Sequence, residues 1–464
     1  MNPNIFREYD IRGIVGEHLT DETVSILGRA IGTFFVKNNA KRIAVGYDAR
    51  VSSPRFRDLL VERLNRMGCD VLDIGRVPTP VLYFAVFTEK VDGGVMITGS
   101  HNPPDHNGFK ICLGKSTIYG EQIQAIKNIA LSGKFTAHAP IVRNESFTPE
   151  EIKPKIQIVD ILKEYQRQLL RCVTTGAKKL KVVVDAGNGM GGVTAVPLYR
   201  ALGYEVVELF TEPDSSFPNH HPDPTVTENL QDAIRAVKEI GADLGIAFDG
   251  DGDRIGVINE KGEIIWGDEL MVLLSRAVLA EKPNSTIIAE VKCSNKLFDD
   301  IAQNGGTAIM WKAGHSIIKA KMKETGAALA GEMSGHIFFA DRFYGFDDAT
   351  YAGARVLEIL SNTDKTLSEL LADLPKTYST PELRVDCAEE RKFAVVRQIA
   401  DEFAKTNEVI TIDGARILFK NGWGLARASN TQAILVLRFE ADTEENLRVI
   451  RETVENRVNE LIEN

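Results

Sequence analysis

Several short stretches of the chain concentrate side chains that titrate, donate hydrogen bonds or bind ions. In "FDGDGDR", Asp249, Asp251 and Asp253 alternate with glycines. Three carboxylates forced together repel one another, and a hard divalent cation with oxygen ligands relieves that repulsion. The intervening glycines let the backbone fold tightly enough to aim the carboxylates at one point. An EF-hand is the first rival, since Glu260 falls at the twelfth loop position; it fails because Arg254 stands where the sharp turn needs glycine and the flanks "LGIAF" and "RIGVI" read as strands. The plain alternative is a solvated turn. Mg²⁺ is expected over Ca²⁺, because few protein ligands leave coordination positions for a phosphate oxygen and water.

"MITGSHNPPDHNGFK" runs an apolar strand into Ser100, His101, two prolines and Lys110. A turn that only reverses direction has no need of a hydroxyl, an imidazole and an amine. Serine is a weak nucleophile unless activated, or unless it begins from an already modified state. If Ser100 carries a phosphoryl group, its oxygens face the metal held by the aspartates, and Lys110 and Arg12 of "FREYDIRG" stand where a hydroxyl must lose its proton. "GEMSGH" offers Glu332, Ser334 and His336 at alternate positions, a set able to hydrogen-bond adjacent sugar hydroxyls. "RASNTQ" supplies Arg427, Ser429, Asn430 and Thr431, a guanidinium fork with hydroxyl and amide donors suited to a phosphate. Tyr9 in "FREYDIRG" and His315 and Lys319 in "KAGHSIIK" add titratable groups near expected strand ends.

One stretch points elsewhere. "DAGNGMGG" places Gly187, Gly189 and Gly192 in a dinucleotide-binding spacing, with Glu208 at the end of the next strand, which would suit an NAD-dependent dehydrogenase. The competing reading is a tight, close-packed turn, because the sister copies of the same unit lack the signature.

Those sister copies emerge from the hydrophobic period. Strand "RIAVGYD", a helix with Ser53 as its cap and Gly68 as its stop, strand "DVLDIG", a helix over 80–89 and strand "GGVMIT" lead into the Ser100 loop. "KVVVDAG", "YEVVELF" and "ADLGIAF", with helices between, lead into "DGDGDR"; "STIIAEV", "TAIMWK" and "AALAG" lead into "EMSGH". Alternating strands and helices build a mostly parallel sheet covered on both faces, whose ligands sit beyond the strands' carboxyl ends. Each chemistry-bearing loop follows the third strand of its copy, so three domains can aim equivalent loops at one cleft. The remainder reads as a C-terminal α+β domain with antiparallel strands and a long final helix carrying Leu447, Ile450, Val454 and Leu461 on one stripe. The fold class expected is α/β: three related mixed, mostly parallel α/β sandwich domains, over 1–148, 149–256 and 257–369, and a C-terminal α+β domain over 370–464, around a central cleft.

With 464 residues, 44% of them hydrophobic and 26% charged, the chain suits a soluble protein of several domains. A net charge of −10 argues against general affinity for nucleic acid or anionic membrane, so an anionic ligand must meet a locally basic site. Five scattered cysteines without a CxxC pattern read as reduced thiols rather than a zinc site. The start lacks a signal-peptide pattern and no run of about 18 apolar residues occurs, so a cytoplasmic location is expected.

The four motifs "TGSHNPPDHNGFK", "DGDGDR", "GEMSGH" and "RASNT", in this order, resemble the signature loops of the α-D-phosphohexomutases, most closely the bacterial phosphomannomutase/phosphoglucomutase branch, and the resemblance spans essentially the whole chain. It implies a four-domain, heart-shaped protein that moves a phosphoryl group between O1 and O6 of a hexose through a phosphoserine at Ser100 and a hexose 1,6-bisphosphate. It further implies Mg²⁺ on Asp249, Asp251 and Asp253 and on the Ser100 phosphate. Glu332 and Ser334 are then expected on sugar O3 and O4, and Arg427, Ser429, Asn430 and Thr431 on the distal phosphate. Lys110 and His315 are acid/base candidates, and Tyr9, Arg12, Arg254, Lys292 and His336 line the site. Gln432 and Ala433 depart from relatives that carry a proline after "RASNT". The partners implied are hexose phosphates and a hexose 1,6-bisphosphate activator, with the protein a monomer or weak homo-oligomer. Met333 and "RASNT" favour mannose and glucose over glucosamine phosphates. Two rival functions stand beside this one: a phosphoglucosamine mutase, and a non-enzymatic sugar-phosphate binder in which Ser100 only donates a hydrogen bond.

Overall fold

The computed structural model describes residues 1–138, 155–429 and 433–463. Its first three sheets share one connectivity. The first strand of each unit is central, the second pairs parallel on one side, the third pairs parallel on the other, and a fourth returns antiparallel beside the third. In the first unit these are Arg42–Tyr47, Asp70–Arg76, Gly93–Ile97 and His106–Leu113. The second unit uses Lys181–Asp185, Glu205–Leu209, Leu244–Phe248 and Ile255–Asn259. The third uses Thr286–Glu290, Thr307–Trp311, Leu329–Gly331 and Ile337–Phe339. The threefold repeat read from hydrophobic period is therefore a repeat of topology. The three loops under suspicion all occupy one topological place, the turn between the last parallel strand and the antiparallel one.

The fourth strand changes two expectations. Lys110, expected in a loop, projects from the strand His106–Leu113 opposite Met96, where strand pairing fixes it more tightly than a turn would. The expected division at 256 falls inside Ile255–Asn259, and Ile264–Ile265 also joins the second sheet. Ile156–Ile158, expected beyond the first domain, pairs with Asp70–Arg76 of the first sheet. Alternating strand and helix signals locate parallel units but give no sign of which short strand folds back onto its own sheet. Ser53 also differs from its expected role. The helix Ser53–Arg66 is preceded by Ser52 without a side-chain cap bond, while the Ser53 hydroxyl donates to Asp48 at 2.6 Å.

One apolar core runs through all three units, from Leu72 and Leu82 through Val182 and Ile246 to Leu270 and Leu329, and each unit adds a separate cluster on the other face of its sheet, around Ile43, Val183 and Ile288. The helix Thr79–Thr88, "TPVLYFAVFT", is apolar around most of its circumference and correspondingly buried. Its Phe84 ring lies 5.5 Å from Tyr165 and its Tyr83 ring 5.7 Å from Phe346, edge-on or tilted contacts that favour aromatic pairs. Burying this helix between neighbours locks the Ser100 domain to the domains that carry the other loops. The C-terminal domain, with strands Leu383–Asp386, Ala415–Phe419, Gly422–Ala428 and Ile434–Ala441, has a separate core under the final helix Glu444–Glu463. Of the predicted stripe, Ile450, Val454 and Leu461 are buried. Arg416 joins this domain to the third: its guanidinium lies 3.7 Å above the Trp423 ring and donates to the Cys293 carbonyl at 2.8 Å.

Asp348 links the second and third units. It caps the helix Ala349–Ser361 through Tyr351 N at 2.9 Å and accepts from the Tyr165 hydroxyl at 2.9 Å. Burial, which disfavours the charged carboxylate, raises its pKa to about 7. Because the folded value lies above the unfolded one, the penalty is absent below about pH 4, grows as the unfolded chain ionises, and is complete above about pH 7. Asparagine keeps the cap acceptor and cannot ionise. Asp348→Asn is therefore expected to gain on the wild type by a few kcal/mol, on the order of the raised pKa, between pH 4.5 and pH 7.5. Denaturation midpoints across that range check it; a difference independent of pH would show that Asp348 ionises normally in the fold.

Candidate active site

Ser100 sits at the tip of the first loop with φ +48°, a left-handed conformation that costs a non-glycine residue about 1–2 kcal/mol. A buried arginine holds it there. Arg50 donates to the carbonyls of Ser100 and His106 at 2.8 Å each and also to those of Asn102 and Pro103. Asp48 pairs with Arg50 at 3.3 Å and accepts from Gly99 N at 3.2 Å, while Thr98 Oγ1 accepts from Ser100 N at 2.8 Å. The loop is thus held through its backbone groups by Arg50, Asp48 and Thr98, which leaves the Ser100 hydroxyl to bond outward.

It meets the acidic loop. Ser100 Oγ donates to Asp249 Oδ2 at 2.9 Å, and Asp249, Asp251 and Asp253 are all fully buried, each with a carboxylate oxygen within 4.8 Å of the others. The loop reaches this far because residue 250 is glycine: a Cβ there would stand 2.3 Å from the Ser100 carbonyl oxygen. Gly250→Ala is expected to lower kcat about a hundredfold, because a displacement of about 1 Å between reacting groups has that effect. Steady-state kinetics, with circular dichroism to confirm folding, checks this; wild-type turnover would show that the contact is not required.

Lys110 enters from its strand and donates to Asp251 Oδ2 at 2.7 Å and to Asp253 Oδ2 at 2.5 Å. Burial favours its neutral amine, but Asp251, Asp253 and Asp249 outweigh that and raise its pKa, so it stays charged. Asp251 responds in kind: burial raises its pKa, and the Lys110 ammonium more than reverses this. Asp249 lacks such a partner, and burial with repulsion from Asp251 and Asp253 raises its pKa. Two acceptors, Asp251 Oδ1 and Asp253 Oδ1, are buried without any hydrogen-bond partner among the described residues. Three oxygen donors, two of them unsatisfied, suit a hard divalent cation.

The third loop closes against the second, with Ile255 N donating to the Gly335 carbonyl at 3.0 Å. His336 lies between Asp347, whose Oδ2 is 3.0 Å from its Nδ1, and Arg254, whose Nε donates to its Nε2 at 3.0 Å. His315 stacks on it, centroids 5.5 Å apart, and burial lowers the His315 pKa so that it stays neutral. Glu332 accepts from Gly314 N at 2.6 Å, and Ser334 stands half-buried in the same turn. The Tyr9 hydroxyl crosses from the first domain to the Ala313 carbonyl at 3.0 Å. Arg12 reaches the Ser100 loop through Asn102 Oδ1 at 2.5 Å.

The last domain arrives at the same place. Asp413 accepts from Ala313 N at 3.0 Å and from Arg427 Nε at 3.1 Å, and Lys292 donates to Glu382 at 3.1 Å. Lys392 donates to the Ser429 carbonyl at 2.6 Å. Asn430 and Thr431, expected to complete the phosphate cradle, lie outside the described residues. Sequence reading did not single out Arg50, Asp48, Asp347, Asp413 or Glu290. Burial, which disfavours the carboxylate, raises the pKa of Glu290 to about 7, and its Oε1 accepts from Met333 N at 2.8 Å. The charged pair in "YDAR" at the end of a first strand is the local signal from which Asp48 and Arg50 could have been found.

The glycine cluster is a packing device. Met190 N donates to the Gly250 carbonyl at 2.9 Å, and a Cβ at Gly189 or Gly191 would stand 2.8 Å from Gly250 O or 2.5 Å from Phe248. The start of the helix Gly191–Ala201, where a dinucleotide pyrophosphate would lie, is filled by the acidic loop itself, which removes the geometric basis for the dehydrogenase reading.

Comparison with known proteins agrees along the whole chain. Residues 3–137, 163–262 and 266–378 match the descriptions Phosphoglucomutase/phosphomannomutase, alpha/beta/alpha domains I, II and III, and residues 382–457 match the C-terminal domain of the same family. A phosphomannomutase/phosphoglucomutase of Pseudomonas putida is 48% identical over 97% of this chain and 94% of its own length. A phosphoglucomutase of Neisseria gonorrhoeae is 46% identical over 99% and 97%. The crystal structure of a phosphoglucomutase/phosphomannomutase family protein from Burkholderia thailandensis superposes with a TM-score of 0.91 at 42% identity, covering 99% of this chain and 98% of the other.

Proposed function

Because the chain belongs to the phosphoglucomutase/phosphomannomutase family, we propose that it interconverts hexose 6-phosphates and hexose 1-phosphates of mannose, glucose or both, with Ser100 as the residue that stores the phosphoryl group. The observation that carries this is Ser100 Oγ lying 2.9 Å from Asp249, beside two further buried carboxylates and a buried ammonium. Such a concentration of charge around a hydroxyl has no structural purpose that an apolar core would not serve better.

Asp249, Asp251 and Asp253, with an oxygen of the Ser100 phosphate, would hold Mg²⁺. Bound there, the ion neutralises charge on the group in transfer. The residues of the chain then divide the work. The phosphoester bond to Ser100 Oγ breaks as the substrate's free hydroxyl oxygen bonds to phosphorus; that hydroxyl gives up its proton, and Ser100 Oγ leaves with the electron pair and takes up one proton to return as the hydroxyl that faces Asp249. His315 is placed to take the substrate's proton, since its ring stays neutral and its Nδ1 is buried without a hydrogen-bond partner among the described residues. His336, stacked on that ring, has Arg254 donating to its Nε2 and Asp347 beside its Nδ1, so it positions His315 instead of taking a proton. Lys110 acts as a fixed positive charge beside the carboxylates instead of as a base, because its ammonium is pinned by two of them. Arg12 and Arg254 add charge at the transfer site.

The product of the first half is a hexose 1,6-bisphosphate, which turns end for end and returns its other phosphate to Ser100. Glu332 and Ser334 take sugar hydroxyls in both orientations, while Arg427, Ser429, Lys292 and Tyr9, with Asn430 and Thr431, hold the phosphate that is not reacting. The bridges Asp413 to Ala313 and Lys292 to Glu382 bring the last domain over the ligand, which excludes water that would otherwise hydrolyse the phosphoserine. A coupled assay with mannose 1-phosphate, glucose 1-phosphate and glucosamine 1-phosphate, each primed by glucose 1,6-bisphosphate and Mg²⁺, tests the reading. Turnover of the first two is expected; inactivity on both would refute it.

A further inference from the structure

Behind the catalytic loops, where the first and third domains meet, lies a cavity of about 440 Å³, within the range that holds a small organic molecule. Lys115, Lys319 and Lys323 line it, and no carboxylate is among its described lining residues. In a chain of net charge −10 that is a local reversal of sign. The Phe87 and Tyr344 rings, tilted against each other with centroids 5.5 Å apart, supply one apolar wall. Two polar atoms on the lining residues, Tyr83 Oη and Ser316 Oγ, are buried without a hydrogen-bond partner among the described residues, and both side chains are at least nine-tenths buried. Unmet donors of that kind are rare in a finished core and are expected where a ligand completes the set.

The cavity shares a wall with the active site. Cys112 lines it and stands two residues along the strand from Lys110, on the same face. Lys319 lines it one helical turn after His315, and its Nζ lies 3.9 Å from the centre of the Tyr83 ring and 2.9 Å from Asp347 Oδ1. Asp347 is the carboxylate beside the Nδ1 atoms of His336, at 3.0 Å, and His315, at 3.8 Å. An anion in the cavity therefore competes with Asp347 for the Lys319 ammonium.

We propose that this cavity is an effector site for a small aromatic anion, which packs against the wall formed by Phe87 and Tyr344, pairs with the three lysines, and lowers turnover by drawing Lys319 from Asp347. The site lies beyond the mutase reading, and its occupancy is measurable whether or not that reading holds. Naphthalene-2-sulfonate serves as the probe, followed by equilibrium dialysis on the intact chain with and without saturating glucose 1,6-bisphosphate. Lys115 and Lys323 are exposed and lie outside the catalytic loops, so the double variant Lys115→Glu/Lys323→Glu tests the site without disturbing them. Ala320→Trp, at an exposed helix position on the lining, fills the space instead.

One saturable site per chain is expected, retained in the presence of the bisphosphate and weakened by about tenfold or more in either variant. Saturating probe lowers the wild-type kcat, and the variants keep theirs at the same concentration. No saturable binding at millimolar probe, displacement by the bisphosphate, or equal binding by the folded variants would overturn the site. Binding with an unchanged wild-type kcat would overturn its link through Lys319.

Discussion

Ser100→Ala loses kcat by roughly four orders of magnitude or more, the usual scale for removing a covalent nucleophile, while its unfolding midpoint stays within a few degrees of the wild type. The two halves of this expectation have separate causes. Alanine retains the Cβ, so the left-handed backbone at position 100 and the Arg50 contacts to the loop carbonyls are unchanged. The structural loss is two hydrogen bonds, to Asp249 at 2.9 Å and with His101 Nδ1 at 3.1 Å, worth about 1 kcal/mol each. The chemical loss is far larger, since the other hydroxyl beside these carboxylates, Thr79 Oγ1, is fully buried and committed as a donor to Asp251. Kinetics with glucose 1-phosphate and a thermal melt on the same sample measure both. Residual activity within tenfold of wild type would mean that the phosphoryl group is carried elsewhere.

Lys110→Met has its largest effect on stability, and that effect depends on divalent metal. Removing the ammonium leaves Asp251 and Asp253 buried without their counter-charge, and breaking a buried ion pair from one side costs about 3–5 kcal/mol. Methionine fills nearly the same volume, so a cavity contributes little. A divalent cation on the same carboxylates replaces the missing positive charge. The variant is therefore expected to melt well below the wild type in EDTA and to recover most of the gap in millimolar Mg²⁺, while the wild type gains much less. Turnover should remain low in Mg²⁺, because the lysine's own charge at the transfer site is not restored. Equal responses of the two proteins to Mg²⁺ would show that lysine and metal do not share the carboxylates.

What the sequence made legible, and what it hid, divides along the range of the interactions involved. Asp249, Asp251 and Asp253 stood out because alternation with glycine is a local pattern with a local cause. The three strand-helix copies stood out because period is local too, and together they predicted that Ser100 and the aspartates would meet. Asp347 was invisible because its meaning comes from His336 and Lys319, elements apart, and "FDDAT" reads equally well as a helix cap, which Asp348 indeed is. Arg50 looked like any charged residue after a strand, although it supports the Ser100 loop some fifty residues away. Thr79 belongs to an apolar helix by its period, yet its hydroxyl donates to Asp251, 172 residues on. Lys110 was recognised for its chemistry and misplaced in a loop, because the antiparallel strand that carries it has the same short, mixed composition as a turn.

The measurement that bears most directly on the central claim is peptide mass spectrometry of the protein after incubation with glucose 1,6-bisphosphate, and again after a chase with excess glucose 6-phosphate. One phosphoryl group is expected on Ser100 in the first sample, and its loss is expected in the second as bisphosphate appears in solution. A Ser100 that remains unmodified while the protein turns over substrate would contradict the account.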